Sequence, residues 1–209
     1  MITVYGYPQT RTTRVTWMLE ELGLDYQFNF IDLMKGEGRS ASFRAINPAG
    51  KVPAMSDDDL VLTESAAILS YLGDKYGSAP LMPSPGSKER GHHDQWAYFS
   101  IAELEQPLWV IGKHKFALPK ERRVVEIFDT AAWEFQQALK LLSHGLADKD
   151  YILGSDFSAA DILIGHTLFW AISFKQPIEQ ENLKAYIERL KVRPARLAAI
   201  EKESALVAR

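Results

Sequence analysis

Residues 47–65 read Asn-Pro-Ala-Gly-Lys-Val-Pro-Ala-Met-Ser-Asp-Asp-Asp-Leu-Val-Leu-Thr-Glu-Ser, and Pro53 stands inside a run that otherwise has the composition of a strand. A proline donates no ladder hydrogen bond, so within a sheet it is confined to an edge, a first position or a bulge, and a cis X-Pro bond belongs to a tight turn. Val52-Pro53 therefore predicts a built-in bend. Strands over Val52 to Ser56 and Leu60 to Thr63 would form an antiparallel hairpin around Asp57-Asp58-Asp59, which reads as a solvated turn. Thr63-Glu64-Ser65 then precedes Ala66-Ala67-Ile68-Leu69. There, hydroxyl and carboxylate side chains would cap a new helix whose free N–H groups can hold an anion.

The chain around this stretch changes character once. Ile2 to Tyr7 is β-branched and aromatic and reads as a buried strand. From Thr12 the period becomes helical, with Val15, Met18, Leu19 and Leu22 on one face and Gly23 as the stop. Asp25 to Leu33 reads as a second strand, so the start is a βαβ unit with parallel pairing. Lys35 to Arg39 is a loop, and Ser40 to Ile46 a short helix ended by Asn47-Pro48. The helix after Ser65 stops at Gly77, giving the order βαβαββα. Residues 78–86 are dense in proline and small residues and read as a linker. Beyond them only helical periodicity appears: a long helix from 87 to about 114 that Pro107 should kink, and one from Pro119 to about Leu146 with Val124 and Val125 among its apolar positions. A strongly apolar helix follows Ser158-Ala159-Ala160-Asp161, then come Leu183 to Val192 and Pro194 to Leu206. The expected fold class is α/β plus all-α. An α/β sheet domain would span 1–77 and an α-helical bundle 87–209, joined by the linker 78–86.

Composition excludes several classes of function. A net charge of −3 and a pI near 6.0 offer no basic surface for nucleic acid or an anionic membrane. The absence of cysteine removes disulfides, thiolate metal sites and a cysteine nucleophile together, so any thiol chemistry must come from a substrate. The first residues lack the pattern of a signal peptide, and no stretch has the ~20 apolar residues of a membrane span, so a cytoplasmic address is expected. His92-His93 reads as solvated, and no spacing matches a metal site.

Three motifs carry a resemblance over essentially the whole chain. Asn47-Pro48-x-Gly50-Lys51-Val52-Pro53-Ala54, Thr63-Glu64-Ser65-x-x-Ile68 and Phe157-Ser158-x-x-Asp161 occur in this order with the proline linker between the last two. In this the chain resembles the cytosolic glutathione transferases, of bacterial type and without a catalytic cysteine. The resemblance implies a thioredoxin-like N-terminal domain. Pro53 would be its cis-proline, and Val52 would offer backbone groups to the cysteinyl part of glutathione. Glu64 and Ser65 would hold the γ-glutamyl end, and Arg39 or Lys51 would supply charge for the glycyl carboxylate. Ser158 and Asp161 would form a capping box that stabilises the helical domain and touches no substrate.

The thiolate is the nucleophile, and a free thiol of pKa near 8.5 is only ~3% ionised at pH 7. A hydroxyl donor is therefore needed, and the loop from Pro8 to Thr13 is where it belongs. Counting back from Gly23, the catalytic serine of the theta-like classes falls on Gln9, and Thr10 matches with a one-residue shift. The catalytic tyrosine of the alpha and pi classes falls on Tyr5. Thr10 ranks first, Tyr5 second, and a backbone amide or Thr12 third. Tyr7, Arg11, Tyr98, Phe99 and Trp109 are candidate walls of a second-substrate pocket between the domains. The implied activity is conjugation of glutathione to a hydrophobic electrophile in detoxification, with peroxidase or disulfide reductase activity as variants and a homodimer as the assembly. The alternative is a non-catalytic interaction module of the same fold.

Overall fold

A computed structural model describes residues 1–207, with side chains as far as Ala205; Ala208 and Arg209, the end of the expected helical domain, lie outside the described residues. The chain forms two compact units, Met1–Ser78 together with the segment from Lys191 onward, and Ala79–Leu190.

The first unit is built on a four-stranded sheet. Its elements are β1 (Ile2–Gly6), α1 (Thr12–Leu22), β2 (Tyr26–Phe30), α2 (Ala41–Ile46), β3 (Ala54–Asp57), β4 (Leu60–Thr63) and α3 (Ser65–Tyr76). The strands lie in the order β2-β1-β3-β4, with β1 and β2 parallel and the other two pairs antiparallel. This is the thioredoxin-like βαβαββα arrangement expected. Val15, Met18 and Leu19 are buried as their helical spacing predicts, and Gly23 closes α1 in the left-handed region, with the Leu24 N–H on the Leu19 carbonyl.

Two boundaries inside the sheet differ from expectation for a physical reason. β3 begins at Ala54 rather than Val52, so Pro53 stands just outside the ladder it cannot join, and the Val52-Pro53 peptide is cis. The acidic turn is only Asp58-Asp59. Asp57 is the last residue of β3 and is buried, its Oδ2 accepting from Tyr71 Oη (2.8 Å), Lys75 Nζ (2.7 Å) and Tyr76 Oη (2.6 Å), all on α3. Burial alone would push this carboxyl up, but the three donors outweigh it and hold it down at about 2.

The second unit contains α4 (Lys88–Phe99), α5 (Glu105–Gly112), α6 (Ile127–Leu146), α7 (Ala159–Ser173) and α8 (Glu181–Lys191), the last ending as the chain returns to the first unit. The long helix expected over 87–114 is interrupted by a π-turn at Ser100–Leu104, just before Pro107 in the first turn of α5, and a second π-turn follows at Lys113–Ala117. Pro107 has no N–H with which to continue the α-ladder, and the extra residue is absorbed ahead of it. The helix expected from Pro119 begins only at Ile127. Upstream of it the Arg123 guanidinium takes the carbonyls of Leu118 (2.8 Å), Phe116 (2.8 Å) and Lys115 (3.0 Å), and the Val124 N–H donates to His114 Nδ1 (2.9 Å). Those bonds and a 3-10 turn at Lys120–Arg122 satisfy the backbone without an α-helix and leave Val124 and Val125 exposed.

The domain division also departs from 1–77, 78–86 and 87–209. Residues 79–86 belong with the helices: Met82 is buried, and the Leu81 carbonyl accepts from Ala159 N (2.9 Å). The last helix, α9 (Pro194–Val207), packs on α1 in the sheet unit. Arg193, just ahead of α9, grips Glu21 through Nε and Nη2 (2.7 Å each), and Lys202 pairs with Glu20 (2.7 Å).

Candidate functional site

Three segments of the first unit carry the candidate residues, and α1 joins two of them. The loop after β1 places Gln9 in the left-handed region (φ 56°) and Thr10 half-buried beside it. Thr10 Oγ1 donates to the Tyr7 carbonyl (2.6 Å) and shares a hydrogen bond with Thr12 Oγ1 (2.9 Å), while Thr12 N donates to Thr10 Oγ1 (3.2 Å). Tyr7 N in turn donates to Thr12 Oγ1 (3.3 Å). With the Thr10 proton on the Tyr7 carbonyl, the Thr12 hydroxyl must be the donor to Thr10, so two donors polarise the Thr10 hydroxyl. Thr12 itself is fully buried and serves as part of this relay.

In the same first turn of α1, the Arg14 guanidinium is fully buried and donates to Ser65 Oγ (3.2 Å) at the first residue of α3. Glu64, the residue before it, has φ 64° and ψ 110° and makes no side-chain capping bond; it is exposed. The expected capping of α3 by Thr63 and Glu64 side chains is thus replaced: Thr63 ends β4, and the Glu64 carboxylate makes no bond to the N–H groups it was expected to satisfy. The start of α3 presents bare backbone donors beside a buried cation, an arrangement suited to a carboxylate.

The third segment is the loop 47–53. Asn47 is buried, with Nδ2 on the Lys51 carbonyl (2.6 Å) and Oδ1 accepting from Ala49 N (3.0 Å), which fixes the approach to Val52 and Pro53. Gly50 (φ 63°) and Gly38 lie backbone to backbone, so that a Cβ on either would strike the other's carbonyl oxygen. This contact keeps the exposed Arg39 and Lys51, each next to one of the two glycines, on adjoining loops.

Tyr5 is placed elsewhere. A Cβ on Gly6 would collide with the Thr12 side chain, so Gly6 faces the start of α1, and alternation along β1 turns Tyr5 to the opposite face. Its ring lies 6.5 Å from Phe43 of α2 and borders a cavity of about 410 Å³ with Phe30, Ile31 and Ile46. Tyr5 is therefore not gathered with Thr10 and Thr12. Of the residues expected to wall a second pocket, Tyr7 stacks on Phe30 (5.4 Å) and the neighbouring Arg11 is half-buried in the first unit. In the second unit Phe99 meets Trp96 edge-on (5.2 Å), Trp109 lies against Trp170 (6.3 Å), and Tyr98 is exposed.

Sequence reasoning did not single out Arg14, Asn47 or Glu203. Asn47 stood at the head of the loop motif with no role of its own, and Arg14 was one charge among the apolar positions of α1. Glu203, on α9, carried no signal: its carboxylate accepts from Thr16 Oγ1 (2.6 Å) and Thr13 Oγ1 (2.8 Å) on α1 and from Gln9 N (3.4 Å).

Comparison with known proteins bears on the same regions. The family model for the glutathione S-transferase N-terminal domain matches residues 1–74. Glutathione S-transferase GstA of Escherichia coli O157:H7 is 30% identical over 84% of this chain and 86% of its own length. Among solved structures, a glutathione transferase of Methylococcus capsulatus superposes with a TM-score of 0.87 at 29% identity, covering 98% of this chain and all of that one. A glutathione transferase of Phanerochaete chrysosporium in complex with oxidized glutathione superposes with a TM-score of 0.85 at 26% identity, covering 98% of this chain and 96% of that one.

Proposed function

This chain belongs to the glutathione S-transferase family, and from that premise we propose that its first unit binds glutathione and raises the thiolate fraction of its thiol for transfer to an electrophilic small molecule. The observation that carries the reading is that one helix bonds both to Thr10, the residue assigned to the thiol, and to Ser65, the residue assigned to the γ-glutamyl carboxylate. Thr12 at the start of α1 polarises Thr10, and Arg14 two residues on holds Ser65 at the open start of α3.

The γ-glutamyl carboxylate would take the N–H groups and Ser65 hydroxyl at the α3 start, with Arg14 behind them, and the exposed Glu64 would take the α-amine. Val52 would pair with the cysteinyl backbone, and Arg39 and Lys51 would meet the glycyl carboxylate. The thiol would then lie at Thr10. A rotation of its hydroxyl from the neutral Tyr7 carbonyl to a thiolate exchanges a neutral acceptor for a charged one, which strengthens the bond. Lowering the thiol pKa from about 8.5 by about two units, which takes roughly 2.7 kcal/mol of differential stabilisation, leaves most of it ionised at pH 7.

Calorimetric titration with glutathione, followed by assays on a panel of electrophiles and peroxides, tests this. The expected outcome is saturable binding, with kcat/KM lowered about 30-fold by Thr10→Ala at neutral pH, as the ionised fraction returns toward that of the free thiol. Tyr5→Phe should leave it within about twofold, since Tyr5 faces away from the loop. No binding at roughly millimolar glutathione would exclude the enzyme in favour of an interaction module. Full activity in Thr10→Ala would remove Thr10 from its role.

A further inference from the structure

Glu203 is 2% exposed, yet the groups that meet its carboxylate are two hydroxyls and an amide rather than a cation. Burying a carboxylate on these terms is costly, and a well-packed apolar residue would serve stability better. α9 is also tied to α1 by the Arg193–Glu21 and Lys202–Glu20 pairs. What distinguishes Glu203 is where its second oxygen reaches. Oε2, held by Thr13 Oγ1, lies 3.4 Å from the N–H of Gln9, whose φ of 56° is a conformation that L side chains resist by about 1–2 kcal/mol. Gln9 is the residue directly before Thr10. The 3.4 Å bond is weak by itself, but the two short hydroxyl bonds place its acceptor in advance.

We propose that Glu203 is a positioning residue for thiol activation: by bridging the first turn of α1 to the Gln9 backbone, its carboxylate holds the loop in the shape that aims Thr10. The inference rests on the role given to Thr10 above. Burial holds the Glu203 carboxyl above its ordinary range, against the pull of the Thr16, Thr13 and Gln9 donors, so each of those bonds favours the ionised form. Replacement of one carboxylate oxygen by an amide NH2 in Glu203→Gln takes away an acceptor with almost no change of shape.

The test follows the ultraviolet absorbance of the glutathione thiolate against pH, with calorimetric affinities and thermal melts, in the wild-type chain and Glu203→Gln. The expected result is a bound-thiol pKa raised by about one unit in the variant. Its kcat at neutral pH should fall about threefold, as the ionised fraction drops with the pKa, and its glutathione affinity should change by less than about threefold. A lower melting temperature with an unchanged thiol pKa would make Glu203 merely structural and overturn the proposal. A wild-type chain that binds glutathione without lowering its pKa would instead overturn the activation reading, and this inference with it. Should Glu203→Gln not fold, Thr13→Val removes one of the two short bonds. A raised thiol pKa in that variant supports the bridge, and an unchanged one overturns it.

Discussion

Two helices of this chain begin with nearly the same residues and opposite outcomes. α7 starts Ser158-Ala159-Ala160-Asp161, and Asp161 curls back over the helix end, Oδ2 accepting from Ser158 N (2.8 Å) and Ser158 Oγ (2.7 Å). Its other oxygen takes Ile152 N (2.8 Å) and Tyr186 Oη (2.6 Å), and the whole group is buried. α3 starts Glu64-Ser65, with the acid one residue before the helix instead of three residues after the cap. A carboxylate at that third position reaches the cap's own N–H, whereas one at the cap position with φ 64° does not reach inward at all. One helix start is closed and belongs to folding. The other is left open at a cost of about 1–3 kcal/mol in backbone strain, which persists where a site needs it.

The largest effect expected from this contrast is at Asp161. Asp161→Ala strands four donors in the interior and should cost about 3–5 kcal/mol in urea unfolding, with glutathione affinity of the folded fraction unchanged. A loss of affinity without a loss of stability would break the distinction between closed and open starts.

The far end of α3 supplies the next test, because Asp57 ties it down as firmly as its start is free. Asp57→Ala should cost about 1–3 kcal/mol by leaving the Tyr71, Lys75 and Tyr76 donors without their acceptor. The sign with pH is definite. The carboxyl is held at about 2, below its ordinary 3.8, so its stabilisation is complete above pH 4 and is lost as pH falls toward 2. Acid unfolding of Asp57→Asn should lack that component, and an identical acid profile would show that Asp57 does not anchor α3.

What could be read from the sequence follows from distance along the chain. The Ser158 and Asp161 box spans three residues, and the bend at Pro53 is a property of one, so both were legible locally. The Arg14 to Ser65 bond joins residues 51 apart and the Glu203 to Gln9 bond residues 194 apart, and nothing in either neighbourhood signals its partner. Asp57 was absorbed into a run of three acids that looks like a turn, because its partners on α3 lie 14 to 19 residues away. Tyr5 was legible as part of a buried strand, but which face it takes was decided only by Gly6 against Thr12. Residues 119–126 had helical composition but form only a 3-10 turn at Lys120–Arg122, since His114 takes the Val124 N–H and Arg123 folds back onto the Leu118 and Phe116 carbonyls.

The open start yields a prediction in which stability and binding move in opposite directions. Glycine adopts positive φ freely, so Glu64→Gly should raise stability by up to about 1 kcal/mol while removing the acid proposed to meet the glutathione amine, with affinity lowered about tenfold. Calorimetry and thermal melts on one preparation would read both. If both fell together, the Glu64 conformation would be a structural requirement and not a strain kept for the site.

The smallest effect is at the closed start. Ser158→Ala removes a hydroxyl that donates to Asp161 but leaves the Ser158 backbone N–H, the Ile152 N–H and the Tyr186 hydroxyl on the same carboxylate. The loss should be about 1 kcal/mol, the usual worth of a capping side chain. It should leave glutathione affinity and the pH profile of activity untouched, because nothing at this helix start faces a ligand. Measured beside Glu64→Gly, the two substitutions should separate cleanly, one lowering the unfolding midpoint alone and the other lowering affinity while raising it. A Ser158→Ala chain that bound glutathione less tightly at an unchanged midpoint would mean that the closed start also serves the site, and the contrast between the two helices would fail.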